Sequence, residues 1–237
     1  MATLLIKDLG VMEYLEALAL QEKLLESKSR DGFADILLLL EHPHVFTLGR
    51  GGKESNVLSP VEAPLYRTSR GGDVTYHGPG QLVVYPLLDL RSRLRKDVHR
   101  YLRNLEMTII RTLDSFGLKA ERRPPWTGVW IEQKKIASIG VAVRRRITYH
   151  GLALNVNSEL SYFSRIIPCG LNWAQITSMQ RELGREVPMD EVKKIFLDHF
   201  VRKFGYAGLQ ELCLEDIRTG SKSEPQEART ISASSGL

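Results

Sequence analysis

Residues 70–86 read RGGDVTYHGPGQLVVYP, with glycines at four positions ahead of an apolar run at residues 82–85. Glycine lets the backbone approach a ligand or another strand closely, and Pro79 fixes one φ angle in the loop. The β-branched and aromatic residues that follow are typical of a buried strand. This stretch therefore predicts a polar glycine loop at the rim of a pocket, supported by a strand of the core.

Apolar periodicity predicts the elements on either side of this stretch. Helical spacing is found over residues 12–29, 98–116 and 187–204. Strand patterns occupy residues 33–41, 45–49, the vicinity of Tyr66, 128–132, 135–143 and 147–155, and residues 122–125 are predicted to be a stiff connector. We therefore predict an α+β fold, a single domain over residues 1–217 with a mixed, mostly antiparallel sheet flanked by helices. Residues 218–237 lack apolar periodicity and predict a disordered C-terminal tail.

Composition narrows the classes of protein that fit. Hydrophobic residues make up 43% of the 237 residues, which is enough for a sizeable core. No apolar run approaches the roughly 20 residues of a membrane helix, and the first residues lack the pattern of a secretory signal. We expect a cytoplasmic protein, or one of the mitochondrial matrix if the chain is eukaryotic. Its net charge of +5 suits an acidic partner, and its cysteines and histidines show no zinc-site spacing, so we expect no metal and no cofactor.

Two residues are candidates for covalent chemistry. Cys169 lies between a proline and a glycine, in a triplet that predicts a sharp loop presenting the thiol. A free thiol is only about 3% thiolate at pH 7, so a nucleophilic cysteine requires a nearby cation. Lys135 enters a strand of small and apolar residues, where a lysine needs a partner. Lys134 and Cys213 are interpreted as a solvated charge and a small buried side chain, respectively.

The string RGG-x-x-T-Y-H-G-P-G-Q resembles the signature of the octanoyltransferases of lipoate biosynthesis. The segments that begin at Lys135 (K-I-A-S-I-G) and at His150 (H-G-L-A-L-N) resemble further family motifs, as does P-C-G around Cys169. The resemblance implies a fold similar to the catalytic domain of biotin and lipoate protein ligases, with Lys135 and Cys169 as the catalytic residues. The substrate-binding residues that it implies are Arg70, Gly71, Gly72, Asp73, Val74, Thr75, Tyr76, His77, Ser138, Ile139, Gly140, His150, Gly151, Leu152 and Ala153.

The implied reaction has two steps and requires neither ATP nor metal. Octanoyl-acyl carrier protein is the implied donor, and its acyl chain passes to Cys169 as a thioester. The implied acceptors are the lipoyl domains of 2-oxoacid dehydrogenases and the glycine cleavage H protein, each of which receives the acyl group on a lysine. Small residues among the implied site residues are expected to leave room for the acyl chain. His77 and His150 are either catalytic bases or structural histidines in a glycine loop.

Three other functions are compatible with parts of the sequence. An ATP-dependent lipoate or biotin protein ligase on the same fold would activate a free acid and would not need Cys169. A non-catalytic module would bind acyl carrier protein or lipoyl domains without forming a covalent adduct. Nucleic-acid binding ranks last, because the Arg-Gly-Gly triplets at residues 50–52 and 70–72 form no repeat and lack interleaved aromatic residues. We therefore expect protein partners, with no nucleic acid and no membrane.

Overall fold

A computed structural model of the chain describes residues 3–31, 34–58, 63–93, 97–168, 174–213 and 229–230. Its strands are β1 (Thr3–Val11), β2 (Asp35–Glu41), β3 (Val45–Leu48), β4 (Leu65–Arg67), β5 (Val74–His77), β6 (Gln81–Leu87), β7 (Glu121–Arg123), β8 (Trp126–Ile131), β9 (Lys134–Arg144), β10 (Ile147–Asn155), β11 (Gln175–Ile176), β12 (Gly208–Glu211) and β13 (Arg229–Thr230). Its helices are α1 (Tyr14–Asp31), α2 (Leu90–Arg93), α3 (Val98–Ser115), α4 (Met179–Leu183) and α5 (Met189–Phe204), with 3₁₀ turns at Glu54–Asn56 and Leu160–Arg165.

The strands form a large sheet and a small one. The large sheet has the order β12-β1-β2-β6-β10-β9-β8-β7, with β11 added beside β9. Pairing is parallel where β1 meets β12 and β2 and where β11 meets β9, and antiparallel elsewhere in this sheet. The small sheet has the order β13-β4-β3-β5. The prediction of a mixed, mostly antiparallel α+β fold is confirmed.

Helices cover both faces of the large sheet. Successive residues of a strand point to opposite faces, and the buried side chains of β2, β6 and β10 divide accordingly into two clusters. One cluster packs against α3 and α5, through side chains such as Leu105 and Phe196. The other packs against α1, through side chains such as Leu24 and Leu25. None of the helices in the described part of the chain is long and apolar enough to cross a membrane.

The stretch at residues 70–86 connects the two sheets. Its first part forms β5 in the small sheet, and its second part forms the fully buried β6 in the large sheet. Gly80, at φ +77°, makes the turn between them, and its carbonyl accepts hydrogen bonds from the backbone N–H groups of Val156 (3.1 Å) and Asn157 (2.8 Å). The predicted core strand is confirmed, and the predicted loop is shorter because residues 74–77 are themselves a strand.

Strands with few buried residues account for differences between prediction and structure. Residues 122–125 are not merely a connector: Glu121–Arg123 form β7, and the two prolines make the turn into β8. β7 is charged and largely exposed, so it carries no apolar alternation. β1 was not predicted because Leu4 is its one buried residue. The proposed boundary at residue 217 and nearly all of the predicted tail lie outside the described residues, apart from Arg229–Thr230, which pair with β4.

Candidate functional site

A narrow cavity of about 40 Å³ lies between the middle of β9 and β10, the loop that precedes β5, and α1. Its lining consists of Tyr14, Arg70, Gly71, Gly72, Asp73, Thr75, His77, Tyr85, Ser138, Ile139, Gly140, His150, Gly151, Leu152 and Ala153. The structure thus brings together all the predicted substrate-binding residues except Val74 and Tyr76. Those two alternate with Thr75 and His77 along β5, so they point away from the cavity into the core of the small sheet. That the lining residues bind substrate stays a prediction.

Glycines allow three backbone segments to meet at this cavity. In the β9–β10 pairing Gly140 lies opposite Gly151, and the glycine loop rests on β9 through the hydrogen bond from Gly71 N to Val141 O (2.9 Å). A Cβ at Gly140 would lie 2.8 Å from Gly71 O, and one at Gly151 would lie 2.0 Å from Val84 O. The missing side chains at these two positions therefore permit close backbone packing, rather than leaving open space for an acyl chain.

Arg70 shapes the loop that closes the cavity. Its side chain is 8% exposed. Its guanidinium donates to Thr47 Oγ1 through Nε (3.1 Å) and Nη2 (2.9 Å), and to Asp73 O through Nη2 (2.7 Å). The Asp73 carboxylate accepts from Val74 N (2.6 Å) and Lys53 N (3.2 Å). These bonds fix the loop and place a permanent positive charge in the cavity wall.

Three buried histidines beside or lining the cavity are neutral at neutral pH. Burial lowers the pKa of His42 to about 4. Burial first, and then the charge of His42, lower the pKa of His77 to about 3. Burial first, and then the charge of Arg70, lower the pKa of His150 to about 3. A group that gains a proton only near these pH values is poorly matched to general-base catalysis at pH 7. The arrangement favours a structural role for His77 and His150 over the catalytic one.

Hydrogen bonds hold these rings in place. His77 Nδ1 lies 2.7 Å from Gln81 Oε1. Because the Gln81 amide nitrogen donates to Asn155 Oδ1 (2.8 Å), its oxygen faces the histidine, and Nδ1 must carry the ring proton. His150 Nε2 lies 3.0 Å from Ser69 Oγ, and the backbone N–H of His150, whose φ is +52°, donates to Gln21 Oε1 (2.7 Å).

We expect the buried histidines to make the protein acid-sensitive. Their pKa values are lower in the folded chain than the ordinary 6.5, so the unfolded chain binds more protons. Their contribution to the free energy of unfolding is present in full above pH 6.5 and is lost as the pH falls through that value towards 3–4. Over this interval the free energy of unfolding falls by about 1.4 kcal/mol per pH unit for each histidine. Denaturant unfolding between pH 7 and pH 5 measures this slope. His42→Gln should reduce the slope, whereas exposed His99→Gln should not; equal slopes in both variants would contradict the assignment.

Tyr14 and Tyr85 line the cavity but were not among the predicted site residues. The Tyr85 hydroxyl lies 2.7 Å from His42 Nε2, and the Tyr14 hydroxyl donates to Thr68 Oγ1 (3.0 Å). Tyr85 belongs to the apolar run of β6 and Tyr14 begins the amphipathic α1, so each follows the ordinary pattern of a core residue. No local sequence signal separates them from the core.

Lys135 is buried on β9 and does not line the cavity. It is 3% exposed, and its Nζ lies 5.4 Å from the centroid of the Trp130 ring, in cation–π contact. Lys134 pairs with Glu182 (2.7 Å), as a partly solvated charge does. The part of the chain that the structure describes contains no group of three or more His, Cys, Asp or Glu side chains suited to a metal ion.

Cys169 lies outside the described residues, so its pairing with Lys135 stays a prediction. The residues that flank its loop are described: Pro168 and Ala174 line one surface cleft together with Lys134. Beyond the loop, β11 pairs with the start of β9, with Ile176 opposite Lys135. The described residues that follow the Cys169 segment therefore lie beside the backbone of Lys135.

Cys213 is exposed, so the prediction that it is buried is wrong. It follows β12 at the edge of the large sheet. The preceding Leu212 takes the buried position there, at 2% exposure.

Comparison with known proteins identifies the class of this domain. The sequence profile of the lipoyl protein ligase A/B catalytic domain matches residues 13–201. The crystal structure of a lipoate-protein ligase A bound with ATP shares the fold, with a TM-score of 0.69 and 17% identity over 91% of this chain and 92% of that one. A bi-partite lipoate protein ligase from Thermoplasma acidophilum gives a TM-score of 0.64 and 17% identity over 91% of this chain and 89% of that one. The chain is thus a lipoyl protein ligase A/B catalytic domain.

Closer relatives specify the branch of this class. An octanoyltransferase from Solibacter usitatus is 49% identical over 85% of this chain and 93% of its own. One from Geobacter metallireducens is 50% identical over 83% of this chain and 92% of its own. The chain belongs to the octanoyltransferase family.

Proposed function

We propose that this octanoyltransferase takes its acyl group from octanoyl-acyl carrier protein and passes it to a lysine of lipoyl domains through a thioester on Cys169. The observation that carries the proposal is the convergence of three separate family segments on one cavity: residues 70–77, 138–140 and 150–153. The residues flanking the fourth segment meet the start of β9, where Lys135 lies.

In the first step the Cys169 thiolate attacks the carbonyl carbon of the donor thioester. A C–S bond to the enzyme forms, the C–S bond to the carrier breaks, and the carrier leaves as a thiol after taking a proton from the Lys135 ammonium, which becomes the neutral amine. One thioester replaces another, so the step is close to thermoneutral. A cation beside the sulfur raises its thiolate fraction above the about 3% of a free thiol at pH 7, and the Lys135 ammonium is placed in this role.

In the second step the amine of the acceptor lysine attacks the octanoyl-enzyme. A C–N bond forms, the C–S bond to Cys169 breaks, and the amine loses a proton; in this proposal neutral Lys135 accepts it and becomes the ammonium beside the released thiolate again. Amide formation from a thioester is downhill, so no ATP is consumed. The backbone N–H groups of the glycine loop and near Gly151 are the proposed oxyanion donors.

Exposed arginines support acidic protein partners. Arg122, Arg145 and Arg146 are all exposed. A positive surface of this kind accelerates the encounter with acidic proteins. The acceptors we propose are the lipoyl domains of 2-oxoacid dehydrogenases and the glycine cleavage H protein, and the compartment is the cytoplasm, or the mitochondrial matrix in a eukaryote.

Intact-mass measurement tests the proposal directly. The protein is mixed with octanoyl-acyl carrier protein in the absence of ATP, and then with a lipoyl domain. We expect a mass increase of one octanoyl group on the enzyme, which disappears as the lipoyl domain gains the same group. Transfer that requires ATP and free octanoate would instead identify a ligase, and complex formation without an adduct would identify a binding module.

A further inference from the structure

Gly128 borders the space that the Lys135 side chain occupies. It lies on β8 with φ +133°, a conformation that favours glycine. A Cβ at this position would lie 2.7 Å from Lys135 Cε, 3.3 Å from Lys135 Nζ and 2.7 Å from Ala137 O. Any other residue at position 128 would therefore displace the lysine or the strand beneath it.

Glu106 fixes Gly128 from the other side. This glutamate on α3 is fully buried. Its Oε1 accepts a hydrogen bond from Gly128 N (3.2 Å), and its Oε2 accepts one from Arg103 Nη1 (2.5 Å). A buried carboxylate is costly to desolvate unless such bonds compensate it. The β8–β9 register shifts one residue further on, between Val129 and Trp130, so Glu106 secures the backbone next to an irregularity in the strand.

We propose that Gly128 and Glu106 are positioning residues for acyl transfer, which hold Lys135 where it meets the reacting sulfur. Glu106 anchors the backbone of β8 through the N–H of Gly128. Because Gly128 has no side chain, the end of the Lys135 side chain can occupy the space where a Cβ would lie. The inference rests on the proposed role of Lys135 and Cys169. Neither residue is among those that the resemblance implies for the site, and neither lines the cavity.

The first test is Gly128→Ala. We expect the rate of octanoyl-enzyme formation to fall about 100-fold, because small displacements of a reacting group are costly. The KM for octanoyl-acyl carrier protein should stay unchanged, because the cavity is untouched. Gly117→Ala is the matched control: Gly117 has a similarly positive φ of +79°, but no heavy atom lies within 4 Å of its built Cβ.

The second test applies if Gly128→Ala does not fold. Glu106→Ala removes the acceptor for Gly128 N and should lower kcat at unchanged KM, whereas Glu106→Gln keeps an amide oxygen there and should restore most of the rate. Thr112→Ala is the control for losing a buried polar group from α3, since this hydroxyl donates only within the helix, to Thr108 O (2.9 Å).

The outcomes separate this inference from the proposed function. Equal rates of octanoyl-enzyme formation in the Gly128→Ala and Gly117→Ala proteins would overturn it. A Glu106→Ala kcat no lower than that of Thr112→Ala, or a Glu106→Gln kcat no higher than that of Glu106→Ala, would also overturn it. A wild-type protein that forms no octanoyl-enzyme and octanoylates no lipoyl domain would overturn the proposed function, and the inference with it.

Discussion

Replacing Cys169 by alanine is expected to lower octanoyl transfer to a lipoyl domain by about 10⁴-fold or more, because the covalent route loses its nucleophile. The mass of the variant should stay unchanged after exposure to octanoyl-acyl carrier protein. The rate of lipoyl-domain octanoylation and the intact mass of the enzyme measure these two effects.

Cys213→Ala provides the matched control. The Cys213 thiol is exposed and follows the edge strand β12, several strands away from β9 in the sheet order. We expect this variant to form the octanoyl-enzyme at the wild-type rate. Transfer retained in Cys169→Ala but lost in Cys213→Ala would place the nucleophile at the edge of the sheet and end the proposed mechanism.

Replacing Lys135 by methionine is expected to lower transfer by about 10²–10⁴-fold, the range associated with loss of a general acid–base group. Methionine keeps an unbranched apolar side chain in the space beside Gly128 and Trp130, so the packing is largely retained while the charge is lost. Single-turnover formation of the octanoyl-enzyme isolates the first step, and transfer to the lipoyl domain reports the second.

A pH series separates an electrostatic role of Lys135 from a structural one. Without its cation the thiol should ionise near its ordinary pKa, so the thiolate fraction should rise about 20-fold between pH 7 and pH 9. The acylation rate of Lys135→Met should recover over this interval. Lys134→Met removes a charge paired with Glu182 and should leave acylation close to wild type. A rate in Lys135→Met that stays flat with pH would argue against the cation.

Local sequence signals predicted the buried strands of the large sheet better than its solvated strands. The sequences of β6, β9 and β10 have clear apolar patterns. Their predicted ranges agree with the structure to within a residue or two. β1 and β7 have largely solvated side chains, so burial leaves no periodic trace in their sequences. Two strands of the small sheet, β3 and β4, were predicted, but their membership of a separate sheet was not, because they pair with residues far away along the chain.

Some residues of the candidate site were predictable from the sequence and others were not. Short contiguous motifs marked most of the cavity lining, because a tight loop and a close strand pairing both demand particular residues at adjacent positions. Tyr14 and Tyr85 reach the cavity through tertiary packing, and Glu106 reaches Gly128 from a helix 22 residues away along the chain. Such contacts depend on how whole elements dock, which no short sequence motif specifies.

The pairing of β11 with the first residues of β9 has a consequence for how this enzyme can vary. The middle of β9 frames the cavity, whereas residues 174–177, which follow the Cys169 segment, are attached to the beginning of β9 through contacts such as Thr177 N to Lys135 O (3.0 Å). Under the proposed mechanism, insertions or deletions between residues 168 and 174 would change where the Cys169 sulfur can reach without altering the cavity lining. The same mechanism would then allow turnover speed and chain-length selectivity to be adjusted independently, by natural divergence or by engineering.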